Sequence, residues 1–239
     1  MPVTFAVHNL CHDLGKQAVK EDLNKSAEHA SVGLIQERSF DAGKAAFSDF
    51  RDRDGIAAYV PDGWAGRNPI WWKTEPWSSL EGTRGYLKTH EGREGISPDR
   101  GFVWQGLRRD NGTTVLVINT HCINGYAKSG PDAPGHQDYR DESAKKHWNK
   151  GHDLIRDEIQ SGAWDTILVG GDWNCAWSDK GQPWYPGPKL ADLVRTPRWT
   201  GSIMVGTLTK SSSGDVVDSK CESLSANSDH DIKVVAVDL

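Results

Sequence analysis

The chain has 239 residues, 36% of them hydrophobic, enough for one domain with a sizeable core. A mean hydropathy of −0.62 and the lack of any run of about 18 apolar residues exclude a membrane-spanning helix. Lys and Arg number 28 against 33 Asp and Glu, so a net charge of −5 excludes a general basic field; any polyanion must be held by a local patch or a bound cation.

Residues 1–7 lack a basic segment followed by a long apolar core, so no secretory signal is read and a cytoplasmic location is expected. Val3, Phe5 and Val7 alternate with Thr4 and Ala6 and predict a strand that ends at His8-Asn9. Residues 15–29 carry Ala18, Val19, Leu23 and Ala27 at roughly helical spacing. A second buried strand is predicted over 31–37, ending in Gln36-Glu37, then a helix over 41–53 and a further strand over 55–60.

Residues 61–100 read as the least regular part. They interleave Trp64, Trp71, Trp72 and Trp77 with Arg67, Lys73, Arg84, Lys88 and Arg93. Two readings are open: a stacking surface for single-stranded nucleic acid with Trp72 in contact with substrate, or a loop with its rings buried against the core. A hairpin follows over 101–119, its turn marked by Asp110-Asn-Gly112, and its second strand runs into Asn119-Thr-His121. Residues 123–136 read as a surface loop and 137–160 as a long helix.

The next stretch, Thr166-Ile-Leu-Val-Gly-Gly-Asp-Trp-Asn174, is a buried strand whose two glycines let the backbone leave tightly. Asp172 and Asn174, two apart on an extended strand end, project to the same side. A second Trp-bearing loop is expected over 177–188 and a short helix over 190–195, with closing strands over 203–205, 216–224 and 232–237. Asn227-Ser-Asp-His230 precedes the last strand. No repeat, linker or low-complexity tract is visible, so residues 1–239 are expected to form a single domain. The four cysteines (Cys11, Cys122, Cys175 and Cys221) form no C-x-x-C pair and read as small buried side chains near strand ends.

Strand ends thus carry Asn9, Glu37, His121, Asp172 with Asn174, and Asp229 with His230. The ordered set Asn9, Gln36-Glu37, Asn119-Thr-His121, Gly171-Asp-Trp-Asn174 and Ser228-Asp-His230, with Val217-Asp218 before the last, resembles the endonuclease/exonuclease/phosphatase superfamily, and the resemblance spans nearly the whole chain. It implies an α/β (α+β) four-layer sandwich, two mixed β-sheets face to face with helices outside. It also implies a Mg²⁺-dependent phosphodiester hydrolase in which Mn²⁺ can substitute.

Carried over residue by residue, Glu37 is the leading metal ligand, with Asn9 and Asp229 completing the shell. Asp172 orients or deprotonates the attacking water, and Asn174 holds the phosphate or that water. His230, oriented by Asp218, binds a phosphate oxygen, and His121 gives a proton to the leaving oxygen. A His at that position resembles the deoxyribonuclease, sphingomyelinase and some phosphatase branches more than the abasic-site repair branch. Arg38 and Arg100 are expected phosphate contacts. The substrate expected is DNA; the alternative is a phosphodiesterase or phosphatase for lipid or small phosphorylated molecules, and a third class is a non-catalytic binding protein on the same fold. Neither a membrane nor a protein partner is expected.

Overall fold

A computed structural model describes residues 3–11, 13–124, 136–174, 196–200, 203–209 and 221–237. Asp218 and the segments 177–188 and 190–195 lie outside these residues. In chain order the strands are β1 (Val3–Asn9), β2 (Val32–Gln36), β3 (Ile56–Tyr59), β4 (Ile70–Lys73), β5 (Trp77–His90) and β6 (Arg100–Arg109), then β7 (Thr114–His121), β8 (Thr166–Asp172), β9 (Thr196–Thr200), β10 (Ile203–Thr209), β11 (Cys221–Leu224) and β12 (Ile232–Val237). Among the described residues three helices join them: α1 (Lys16–His29), α2 (Asp41–Arg51) and α3 (Gln137–Ser161).

Two six-stranded sheets result, ordered β11-β12-β1-β2-β4-β3 and β5-β6-β7-β8-β10-β9. Each is mixed. β1 pairs parallel with β2 and β7 with β8, while the other pairs are antiparallel. A parallel pair needs a crossover, and here α1 and α3 supply it. The expected sandwich is therefore present.

The side-chain period of two sorts the layers. Val3, Phe5 and Val7 of β1 meet Val103, Leu107, Val115, Val117 and Leu168 in the core between the sheets. Ala6 points the other way, into a cluster with Leu23 of α1 and Phe47 and Phe50 of α2. On the far side, Leu116, Ile118, Ile167 and Val169 pack against Trp148 and Ile155 of α3. Strands buried on both faces read as continuous apolar runs, as β8 does.

Residues 61–100 depart from expectation. The segment holds a 3₁₀ turn (Gly63–Arg67) and two strands, β4 and the 14-residue β5; Trp71, Trp72 and Trp77 are core, and Trp64 packs half-buried against it. Consecutive Trp71 and Trp72 occupy opposite faces of β4. Trp71 is fully buried against Phe50 (ring centroids 5.3 Å apart, planes at 78°) and lies over Gly33, where a Cβ would come within 2.0 Å of its indole. Trp72 is 6% exposed in the inter-sheet core, and Trp77 is buried with its indole N–H donating to Ser31 Oγ at 3.1 Å. The stacking surface built on Trp72 is thus overturned: a ring inside the sandwich cannot meet a base.

Candidate active site

The carboxyl ends of β1, β2, β7 and β8 converge, as the parallel pairs require. Register places Asn9 beside Gln36 and His121 beside Asp172. Gly171 permits the second approach: its φ is 149°, and a Cβ there would lie 2.0 Å from the Thr120 carbonyl oxygen. Beyond the strands, Cys11, Glu37 and Asn174 adopt positive φ (51°, 60° and 52°), a costly backbone for non-glycine residues that clusters at functional sites.

Asp172, 1% exposed, is the hub. Its Oδ2 accepts from Asn9 Nδ2 at 2.9 Å, and its Oδ1 accepts from the Asn174 backbone N–H at 2.9 Å. The same Oδ2 lies 3.8 Å from His121 Nε2 and 3.8 Å from His230 Nε2. The same His121 Nε2 is 3.7 Å from Glu37 Oε1. Asp229 is mostly exposed, 3.8 Å from the His230 ring. The structure therefore brings together Asn9, Glu37, His121, Asp172, Asn174, Asp229 and His230.

Some side chains are committed differently from expectation. Asn9 is buried, and besides donating to Asp172 its Oδ1 accepts from Cys11 N–H at 3.0 Å, leaving one lone pair for a metal. Asn174 Nδ2 donates to the Cys122 carbonyl at 2.9 Å, which ties the residue to the β7 end. Arg38 is corrected. Its guanidinium lies over the Phe47 ring (5.5 Å) and donates to the Gly66 carbonyl at 2.9 Å, so it serves α2 packing rather than phosphate. The left-handed turn at Glu37 sends the next side chain that way.

A pocket of about 250 Å³ opens at Glu37 and His121. Arg100 lines it as expected, and Arg67, Asn68, Asn124 and Phe40 join it without having been anticipated. Arg67 and Asn68 come from the end of the 3₁₀ turn, inside the segment that lacks a regular pattern. Burial lowers the Arg100 pKa and the facing Glu37 carboxylate opposes that, so the guanidinium stays charged. His121 is 3% exposed; burial, then Arg100, hold its pKa well below the usual imidazole value. Its ring is neutral near pH 7, a hydrogen-bond donor rather than a ready acid.

Two buried groups support this shell. Asp22 of α1, 2% exposed, accepts from the backbone N–H groups of Asn227 (2.9 Å) and Ser228 (3.2 Å) and from Asn227 Nδ2 (2.9 Å), anchoring the turn that carries Asp229 and His230. His147 of α3 bridges Thr89 Oγ1 (2.8 Å) and Thr120 Oγ1 (2.7 Å) and stacks on Phe102. Across the two sheets, Gln36 Nε2 donates to Asn119 Oδ1 at 2.7 Å, so these two motif residues are structural ties.

No family model and no curated protein matches the sequence. Solved structures match along the whole chain. An endonuclease/exonuclease/phosphatase family protein from Bacteroides thetaiotaomicron superposes with a TM-score of 0.66 at 13% identity, over 99% of this chain and 95% of that one. D. rerio TDP2, solved with a single-strand DNA product, gives 0.61 at 11% identity over 100% and 99%. The human Nocturnin catalytic domain, solved with a sulfate anion, gives 0.58 at 13% identity over 99% and 94%. The chain has the fold these proteins share.

Proposed function

We propose that the chain is a metal-dependent phosphodiesterase acting on DNA. The observation that carries this reading is the Asp172 carboxylate, fixed by two donors and set 3.8 Å from each of two imidazoles, with Glu37 and Arg100 nearby. A phosphate placed there meets donors on one side and a base for water on the other. The DNA reading draws further support from the single-strand DNA product seen with the TDP2 neighbour.

Among the described residues no three His, Cys, Asp or Glu side chains converge as a self-sufficient metal cage. That fits Mg²⁺, which keeps several waters and takes one or two carboxylates; Glu37 and Asp229 are the oxygen donors with room for them, and Mn²⁺ accepts the same set. When bound, the ion would offset charge on the phosphate oxygens. Asn9 and the Asn174 backbone N–H hold Asp172 in place to orient and deprotonate the attacking water. His121 and His230 donate to phosphate oxygens, and Arg100 holds the remaining charge.

The test is hydrolysis of single-stranded DNA by dialysed protein in Mg²⁺, in Mn²⁺ and in EDTA, for wild type and Glu37→Gln. We expect activity only with metal and a raised metal requirement in the variant. Full activity in EDTA defeats the metal role, and no cleavage of any phosphodiester with either ion defeats the reading.

A further inference from the structure

We propose that His90, Ser143 and Lys150 form a second anion site, next to the catalytic pocket and distinct from it, that takes a phosphate group. The inference goes beyond the phosphodiesterase reading and rests on it only in naming the DNA strand as a source of that phosphate.

The site begins with helix spacing. Tyr139, Ser143, Lys146 and Lys150 recur along α3 at the intervals that put side chains on one face. That face meets the end of β5, and together they line a pocket of about 620 Å³ with Lys88 and His90.

Two observations point to an anion. His90 is 8% exposed, lines this pocket, and its Nε2 is buried with no hydrogen-bond partner. Its Nδ1 lies 3.5 Å from Thr89 Oγ1, but that hydroxyl already serves the Arg100 carbonyl (3.0 Å) and His147 Nδ1 (2.8 Å). Nothing therefore fixes the ring proton at Nδ1, and Nε2 can carry it. A buried polar group left unsatisfied is costly, and a bound acceptor would relieve it.

The second observation is the balance of charge. Glu91 and Glu142 also line the pocket, but Glu91 Oε1 stands 3.2 Å from Lys88 Nζ and Glu142 Oε1 2.7 Å from Lys146 Nζ. Lys150 makes no ion pair among the described residues; its Nζ donates to the Lys88 carbonyl at 3.3 Å. One positive charge is thus left over beside the unmatched imidazole nitrogen.

The chemistry selects the occupant. Three ammonium groups exclude a metal cation, and an apolar ligand would leave Nε2 unmatched. A tetrahedral oxyanion can accept from imidazole, hydroxyl and ammonium together. Position makes it a phosphate. Lys88 Nζ lies 3.5 Å from Asp99 Oδ2, and Asp99 also lines the catalytic pocket with Glu37 and Arg100. The two pockets adjoin, so a strand held in one has further phosphates to offer the other.

The experiment compares Mg²⁺-supported kcat/KM for a short single-stranded oligonucleotide and for methyl nitrophenyl phosphate, which is too small to reach both pockets. In Lys150→Ala, an exposed position that leaves the fold intact, the ratio of oligonucleotide to small diester should fall about two- to fivefold. The log–log slope of oligonucleotide kcat/KM against salt should flatten by roughly 0.7, one phosphate contact fewer. His90→Phe keeps the ring and removes the donor, and should lower the ratio by about tenfold or more. Calorimetric titration of the metal-free proteins with inorganic phosphate separates the sources. A fallen ratio assigns the site to a strand phosphate; wild-type rates on both substrates with weaker phosphate binding in both variants assign it to free phosphate. Unchanged rates with unchanged phosphate affinity overturn the site, and so do equal losses on the two substrates. If wild type cleaves neither substrate, the phosphodiesterase reading has failed, and the titration alone decides. Binding about twofold or more weaker in Lys150→Ala then supports the site; equal affinity, or no binding to wild type, overturns it.

Discussion

Replacing Asp22 with Ala tests how the final turn of the site is held. The carboxylate accepts three donors, two backbone N–H groups and the Asn227 amide, at 2.9 to 3.2 Å. Hydrogen bonds to a charged group contribute roughly 1.5–3 kcal/mol each, so a plain sum overshoots. Asn227 is exposed and Ser228 half-buried, so water replaces part of what is lost. We expect a net loss of about 2–4 kcal/mol, which is about 4–16 °C in Tm for a chain of this size. The turn also sets His230 at 3.8 Å from Asp172 Oδ2, so kcat/KM should fall by about tenfold or more on a nitrophenyl phosphodiester, measured well below the melting transition. Urea unfolding followed by fluorescence gives the first quantity and steady-state kinetics the second. Stability within about 0.5 kcal/mol of wild type would refute the anchoring role. Lost stability with unchanged kcat/KM would show that the turn finds its place without Asp22.

Two further outcomes follow from burial. Trp72→Ala should destabilise by about 3–5 kcal/mol and leave the single-stranded DNA affinity of the remaining folded protein unchanged; weaker binding at wild-type stability would return Trp72 to the surface. His90 is 8% exposed, and burial, then Arg100, lower its pKa to about 4. Because its folded pKa lies below the unfolded value of about 6.5, its contribution is intact above pH 6.5 and lost as pH falls toward 4, by about 3 kcal/mol. His90→Gln should therefore flatten the acid limb of a stability-versus-pH curve, and an unchanged limb would contradict the assignment.

Much of the site is legible in the sequence because its polar residues stand directly after apolar runs. Glu37, His121 and Asp172 each end a strand buried on both faces, and the fold leaves a strand end only one place to point. Asp22 hides for the opposite reason. It lies in a helix rich in polar residues, where a buried carboxylate and a solvated one look alike until the turn at Asn227 arrives from 205 positions away. The segment 61–100 misleads because β4 buries both faces and so lacks alternation, while β5 keeps much of its length exposed. Arg67 and Asn68 enter the pocket only through the turn between β3 and β4. Arg38 follows Glu37 directly, and adjacency in sequence suggested a shared site that the left-handed backbone at Glu37 undoes.

The central claim is that the Asp172 carboxylate, held by Asn9 and Asn174, activates the water that attacks phosphorus. Asp172→Asn tests it most directly. The amide can satisfy one of the two facing donors and must oppose the other, so a loss of about 1–3 kcal/mol is expected and the protein stays folded at 25 °C. An amide cannot take the water's proton, so kcat on a nitrophenyl phosphodiester with saturating Mg²⁺ should drop by roughly 10²–10⁴. A folded variant that turns over near the wild-type rate would contradict the account.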